Sequence, residues 1–272
     1  LVDATQCDAV VADFRRGEWF ATALSEPTSG NLFLSPQQSA ERVEGGWRLS
    51  GAKRFVTASE RARYLWVNAS CDGVPRFFII DKDDSVEIQQ VWDTMGMRGT
   101  RSQLVRFSDT LLPDGRESQI QPPNAVAVGL AWISIGIAEA AMRFAVEYAQ
   151  ERVLPPDGVA LADLQWVQFS VADMSMQLGA SRAFAEHMTA LTDRGDPSMV
   201  ALQMEAKTVA NEAAISIARA ALEIAGGSGY FRGRPIELYL RNAMSGPLMA
   251  LSGAAVRSFM GKVLLGRGPK RD

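Results

Sequence analysis

The chain has 272 residues, 47% of them hydrophobic and 22% charged, and carries a net charge of −3. That is the composition of an ordinary globular protein of about two domains, with no basic surplus to attract nucleic acid. One His and two Cys exclude a disulfide framework, leave open only a Cys7–Cys71 bridge, and would be nearly used up by a zinc site; a Ser-His-Asp or Cys-His triad would have to run through His187.

The opening residues, Leu1-Val2-Asp3-Ala4, lack the basic region and apolar core of a secretory signal. With two free cysteines this predicts a cytoplasmic protein. Short β-type runs follow: Trp19–Ser25, Ala40–Val43, Trp47–Ser50, Tyr64–Asn68, Arg76–Asp81, Val86–Trp92 and Gln103–Phe107. Glu44-Gly45-Gly46 reads as a hairpin turn between two of them. Such spacing predicts a small β-sandwich or barrel. Gln121-Pro122-Pro123 marks a boundary, giving domains 1–120 and 121–272.

Beyond it the apolar spacing becomes helical. Ala125–Ala138 carries no charge, but it is too short to span a bilayer before Glu139 and Arg143. A buried helix over Val126–Gln150 and no membrane partner are expected. Val167, Val171, Met174 and Leu178 mark a second helix. Leu202, Ala206, Val209, Ala213, Ile217, Ala220 and Ile224 mark a third. Ser198 is expected to cap the third helix and Gly226-Gly227 to end it. Shorter helices are expected at Pro235–Asn242 and Gly253–Leu265. The predicted fold is α+β multidomain: a small β-sandwich or barrel domain followed by an antiparallel four-helix bundle.

Three segments could carry chemistry. The loop Ser25-Glu26-Pro27-Thr28-Ser29-Gly30-Asn31 offers hydroxyls and backbone N–H groups, or is a plain turn. Phe55 and Thr57 stand two apart on a β-type stretch and should face one side, where they could stack on and bond to a planar ring. Gly226-Gly227-Ser228-Gly229-Tyr230 follows a helix instead of opening one, so it is not a dinucleotide fingerprint.

In order along the chain, these pieces resemble the acyl-CoA dehydrogenase family of flavoproteins. Leu24-Ser25-Glu26-Pro27 with Gly30 is similar to the family's Thr-Glu-Pro-x-x-Gly loop. Gly51-Ala52-Lys53-Arg54-Phe55-Val56-Thr57 is similar to its Gly-x-Lys-x-Trp-Ile-Thr strand. Met95-Gly96-Met97-Arg98-Gly99-Thr100-Arg101-Ser102, then Phe107-Ser108-Asp109 and Leu112-Pro113, matches the end of the middle β domain. Ile135–Ala141 matches the first bundle helix. Leu222–Tyr230, with Pro235, Glu237 and Arg241-Asn242-Ala243, matches the stretch before the catalytic region.

The resemblance implies three domains, of which the N-terminal helical one is not evident here. It implies FAD as cofactor, an acyl-CoA as substrate and a homo-oligomer (dimer or tetramer), or a heteromer, since the family's flavin site draws on a neighbouring subunit. Carried over, Leu24 and Ser25 would bond the isoalloxazine edge, and Phe55 and Thr57 would flank the ring. Arg152 would reach a partner's pyrophosphate, although Val153-Leu154-Pro155-Pro156 replaces the usual Phe-Gly. Glu223, Gly226 and Gly227 would line the adenine end.

The resemblance also exposes a deficit. Family members remove a weakly acidic α-proton with a positioned carboxylate while the β-hydride goes to the flavin. The usual Glu, nine residues after the arginine equivalent to Arg241, corresponds to Ala250. The alternative position falls near Val126, in Asn124-Ala125-Val126-Ala127. No Asp or Glu occurs between Arg241 and Asp272. Three readings stay open: a dehydrogenase with its base elsewhere, a flavin monooxygenase of the same fold, and a non-catalytic subunit of a heteromer. Glu139 and Glu147 read as solvated helix positions, and His187 as a structural residue.

Overall fold

The computed structural model describes residues 4–27, 35–118, 125–196, 198–249 and 252–267, and the chain packs as two compact units, Leu1–Gln121 and Pro122–Asp272. The first unit opens on a helix absent from the sequence expectations, α1 (Ala4–Arg15). Its ties to the sheet are largely polar. Buried Asp13 accepts a 2.5 Å bond from the Tyr64 hydroxyl, lies 2.9 Å from Arg63 and pairs with Arg16. Cys7, Val10, Val11 and Phe14 do keep a helical i, i+3, i+4, i+7 spacing, and Val10 is buried while Phe14 meets the Phe20 ring edge-on; the pattern spans only two turns.

Eight strands follow: β1 (Phe20–Ala23), β2 (Ser39–Val43), β3 (Gly46–Val56), β4 (Tyr64–Cys71), β5 (Val74–Asp81), β6 (Val86–Gln89), β7 (Gln103–Pro113) and β8 (Glu117–Ser118). They hydrogen-bond in the order β6-β7-β3-β2-β4-β5-β8. Strand β4 forks this sheet: Tyr64–Val67 run parallel to β1, and Ser70–Cys71 run parallel to β2. Inward positions of the alternating runs, including Leu49, Leu65, Val67, Phe78, Val105 and Leu112, form one apolar core. Each such side chain contributes about 1.5–3 kcal/mol by leaving water.

Two tight turns set register. Val43 pairs with Gly46 across Glu44-Gly45, as expected. Cys71 pairs with Val74 across Asp72-Gly73, both at positive φ, the arrangement that an Asp-Gly hairpin favours. Gly46 is required for another reason. A Cβ there would lie 2.2 Å from the Leu112 carbonyl oxygen of β7, and that oxygen cannot retreat without loosening the β3–β7 ladder. Gly46→Ala is expected to cost about 1–3 kcal/mol through overpacking, read from the thermal midpoint of unfolding.

The second unit comprises α2 (Ala125–Glu151), a two-stranded hairpin of β9 (Val153–Leu154) and β10 (Val159–Ala160), α3 (Gln165–Asp193), α4 (Met199–Ala225), α5 (Pro235–Ala243) and α6 (Gly253–Leu264). Ala138, Ala141, Ala145 and Ala149 of α2 share a core with Ala214, Ile217, Ala218 and Ala221 of α4. Small residues on both faces let the two backbones approach closely. By length and composition alone, Val128–Glu151 could cross a membrane; here its alanine stripe is buried against α4.

One sequence expectation about these elements needs correction, and one open possibility is closed. Ser198 does not cap α4: its own N–H and hydroxyl both bond to the Asp196 carboxylate, at 2.9 and 2.7 Å. The side chain is spent on an Asx turn instead of on the helix's free N–H groups. The Cys7–Cys71 bridge is not formed. Cys71 is sealed in the sheet core, and burial pushes its thiol up to about 11, which makes it inert. Gly226 does end α4, with φ of 56°.

Candidate functional site

The loop leaving β1 is fastened to β3 from beneath. Leu24 is buried and Ser25 half-buried. Glu26 then turns inward, 1% exposed, to meet Lys53, 0% exposed. The Lys53 Nζ donates to Glu26 Oε1 and to Asn68 Oδ1, each at 2.8 Å. The same carboxylate accepts the backbone N–H groups of Gln37 and Gln38 at 3.0 and 3.1 Å. Neighbouring β3 residues complete the attachment: Arg54 N–H donates to Ser25 O at 2.7 Å, and Ala52 O accepts from the Gln38 side chain at 2.8 Å. Gly51 leaves room for that glutamine, since a Cβ would lie 2.6 Å from its Oε1. Burial pushes the Glu26 carboxyl up, but the Lys53 ammonium and the two N–H donors hold it below its ordinary value. Burial in turn pushes the Lys53 ammonium below its own. Gly30 lies outside the described residues.

The expectation that Phe55 and Thr57 share a face by simple alternation does not hold. Trp47–Ser50 and Lys53–Val56 are parts of one strand, β3, whose pairing with β7 shifts register between Leu49 and Gly51 and again between Lys53 and Val56. At the second shift Phe55 adopts a φ of 59°, as bulges that re-aim a side chain do. Its ring stays 55% exposed, with the Arg54 guanidinium 4.7 Å above it and the Trp92 ring edge-on at 6.2 Å.

These side chains wall an open cleft of about 310 Å³ lined by Arg54, Phe55, Val91, Trp92, Thr94, Ser102 and Leu104. Thr57 joins it through hydroxyls. Its Oγ1 lies 2.8 Å from Ser102 Oγ, which lies 2.8 Å from Thr100 Oγ1, which donates to Met97 O at 2.8 Å. The Met97 carbonyl also receives the Trp92 indole N–H at 3.0 Å. Left-handed Met97 and Arg101 flank the turn that presents these groups. Trp92, Thr100 and Ser102 were not singled out as site residues. The signal for Thr100 and Ser102 was the Thr-x-Ser ending of Met95–Ser102; Trp92 lies outside that motif and had none.

The helical unit presents its candidates separately. Arg152 is exposed at the end of α2, and its carbonyl accepts from Leu161 N–H at 2.7 Å. The Val153-Leu154-Pro155-Pro156 departure builds the β9–β10 hairpin beside it. Glu223 is exposed and bonded to Arg219 at 3.1 Å. Gly226 and Gly227 follow at the α4 terminus, with open space where side chains would be. Exposed Tyr230 and Phe231 come next.

Ala250 lies outside the described residues, and Val126 sits in the first turn of α2. His187 is exposed on α3, Glu139 pairs with Arg182, and Glu147 is exposed. Among the described residues no group of three His, Cys, Asp or Glu side chains could hold a metal.

Comparison with known proteins bears on this geometry. The pattern of the acyl-CoA dehydrogenase middle domain matches residues 21–110, and that of the acyl-CoA dehydrogenase C-terminal domain matches residues 114–255. The chain is 31% identical over 270 residues to the 3-sulfinopropanoyl-CoA desulfinase of Paraburkholderia xenovorans strain LB400, covering 92% of this chain and 68% of that protein. It is 30% identical over 254 residues to the human mitochondrial short-chain specific acyl-CoA dehydrogenase, covering 88% of this chain and 61% of the enzyme; it thus spans less than two thirds of that relative. The structure of butyryl-CoA dehydrogenase from Megasphaera elsdenii superposes with a TM-score of 0.82 at 26% identity, over 92% of this chain and 68% of that one.

Proposed function

The chain belongs to the acyl-CoA dehydrogenase family, and we propose that it is an FAD-dependent oxidoreductase that dehydrogenates the Cα–Cβ bond of an acyl-CoA thioester. The observation that carries this reading is the cleft on β3. An aromatic wall, a guanidinium and the Ser102 hydroxyl, bonded in turn to Thr57 and Thr100, line a space of about 310 Å³, which fits a planar ring with a polar edge.

FAD, when bound, supplies the acceptor for the β-hydride. The chain's own residues do the holding. Phe55 and Trp92 offer ring faces and edges and keep water from one side. Leu24 and Ser25 are assigned to the ring's edge, on a loop that Glu26 and Lys53 hold in place before any ligand arrives. Arg152, Glu223, Gly226 and Gly227 are assigned to the dinucleotide of a second copy. The open glycines and exposed Tyr230 and Phe231 suit an interface, so the proposal includes an oligomer; the cytoplasmic location in it rests on the free cysteines alone.

A second reading is favoured by one pair of observations. The desulfinase is 31% identical, and neither Ala250 nor Val126 supplies a carboxylate. Cleaving a sulfinoacyl-CoA removes no α-proton. The C–S bond breaks and a C–H bond replaces it. Water gives that hydrogen to carbon and its hydroxyl to sulfur, which leaves as hydrogen sulfite.

One experiment separates these readings. The full-length protein is purified, loaded with FAD and mixed anaerobically with saturated acyl-CoAs and with 3-sulfinopropanoyl-CoA. Bleaching of the flavin by a saturated acyl-CoA is expected. Sulfite release without bleaching would replace dehydrogenation by desulfination. Oxygenated product from supplied reduced flavin and O₂ would make it a monooxygenase, and activity only on adding a partner chain would make it an accessory subunit. Failure to bind FAD at all would overturn the proposal.

A further inference from the structure

We infer that the Thr57–Ser102–Thr100 hydroxyl chain is a one-way relay that fixes Thr57 as a hydrogen-bond acceptor toward its ligand, so that the site holds a reduced, N–H-bearing isoalloxazine more tightly than the oxidised ring. This rests on the assignment of the cleft to the flavin ring.

The direction follows from counting protons. Each hydroxyl has one hydrogen to give, and a backbone carbonyl can only accept. The chain ends on Met97 O, 2.8 Å from Thr100 Oγ1, so the Thr100 proton is spent there. The 2.8 Å bond between Thr100 and Ser102 then exists only if Ser102 donates. With that proton spent, the 2.8 Å bond between Ser102 and Thr57 exists only if Thr57 donates. All three bonds form together in this one arrangement. Exposed Thr57 keeps only lone pairs for whatever occupies the site. Ser102 is buried, so water does not readily reverse the chain.

Reducing an isoalloxazine converts a ring nitrogen from acceptor to N–H donor. A fixed acceptor beside that nitrogen attracts the reduced form and opposes the oxidised one. By linkage, the form bound more tightly is the one favoured in the redox equilibrium, so the bound flavin's potential is raised. Ser102 and Thr100 are thus positioning residues that act through Thr57.

The test is the midpoint potential of FAD on the full-length protein, measured by equilibration with reference dyes. Ser102→Ala frees the Thr57 proton to turn toward the ring. Thr100→Val removes the relay's fixed end and lets Ser102 donate to Thr57. Each is expected to erase about a tenfold preference for the reduced form, which for a two-electron couple lowers the potential by about 30 mV. Thr100→Ser, which keeps the hydroxyl, should retain the parent potential. Arg54 stays in every variant, so its charge cancels from the comparison. A merely structural hydroxyl would alter the melting temperature and leave the potential unmoved. Parent-like or higher potentials in both Ser102→Ala and Thr100→Val would overturn the relay; if the buried Ser102 variant does not fold, the half-buried Thr100→Val decides alone. A parent that binds no FAD would instead overturn the proposed function.

Discussion

Lys53→Met is expected to destabilise the β unit by about 3–5 kcal/mol, the cost of leaving one partner of a buried ion pair behind. The substitution keeps all but the last atom of the side chain's length, so little of the loss is packing. What goes is the donor at 2.8 Å to both Glu26 and Asn68. Glu26 keeps its two backbone N–H bonds but becomes a carboxylate with no ammonium in a dry site. Adding Glu26→Gln to the same chain removes that stranded charge and should recover part of the loss, a coupling that a double-mutant cycle measures. The sign with pH follows from Glu26. Its folded carboxyl sits below the ordinary 4.5 because Lys53 and the backbone donors outweigh burial. The parent's stabilisation from this group is therefore complete above about pH 4.5 and lost as pH falls through the lower folded value. In Lys53→Met the opposite holds, because burial raises the carboxyl and acid neutralises it. The gap between parent and variant, read from urea unfolding at each pH, should narrow on acidification. A gap that is constant with pH, or a double variant no more stable than the single, would sink the assignment.

That pair also marks how far the sequence could be read. Glu26 and Lys53 both stood in quoted motifs, yet nothing local says that they touch. They are 27 residues apart, and their meeting depends on β3 lying against the exit of β1. The strands were legible because alternation and turn residues are local properties. The helices were legible from a 3.6-residue rhythm that Ala, Met and Ile kept over many turns. What stayed hidden was of two kinds. A long-range polar attachment cannot be read locally, as in α1, whose short apolar pattern of Cys7, Val10, Val11 and Phe14 says nothing of the bonds from Asp13 to Tyr64 and Arg63. Backbone irregularity broke a rule that assumed regularity, as at the bulge where Phe55 takes its φ of 59°. The site suffered from both. Leu24, Ser25, Phe55 and Thr57 were picked out, but Ser102, which links Thr57 to the cleft, is 45 residues away from it. Only the folded register of β3 on β7 brings the two hydroxyls together.

Ala250→Glu is expected to raise the rate at which an acyl-CoA reduces the bound flavin by about 10²–10⁴, the span that a positioned general base contributes. By the family pattern a Glu stands nine residues after the arginine equivalent to Arg241, between α5 and α6 in the chain. Here that residue is Ala250, and the alternative at Val126 is apolar too. The α-proton of a thioester is weakly acidic. If the chain dehydrogenates acyl-CoA as proposed, then without a carboxylate at either position hydride transfer would wait on proton loss to water or to some other base. A carboxylate at residue 250 removes that wait, whereas Ala250→Gln, with similar volume and no basicity, should not. Rapid anaerobic mixing with a saturated acyl-CoA, followed by flavin absorbance, measures the gain directly. The rate should also acquire a new ionisation on the acid side in Ala250→Glu alone, because only the ionised carboxylate accepts the proton. Equal rates in parent, Glu and Gln variants would mean that the proton already has an acceptor elsewhere, and the deficit at residue 250 would then carry no mechanistic weight. A gain confined to Ala250→Glu would show that the deficit alone separates this chain from a fast dehydrogenase.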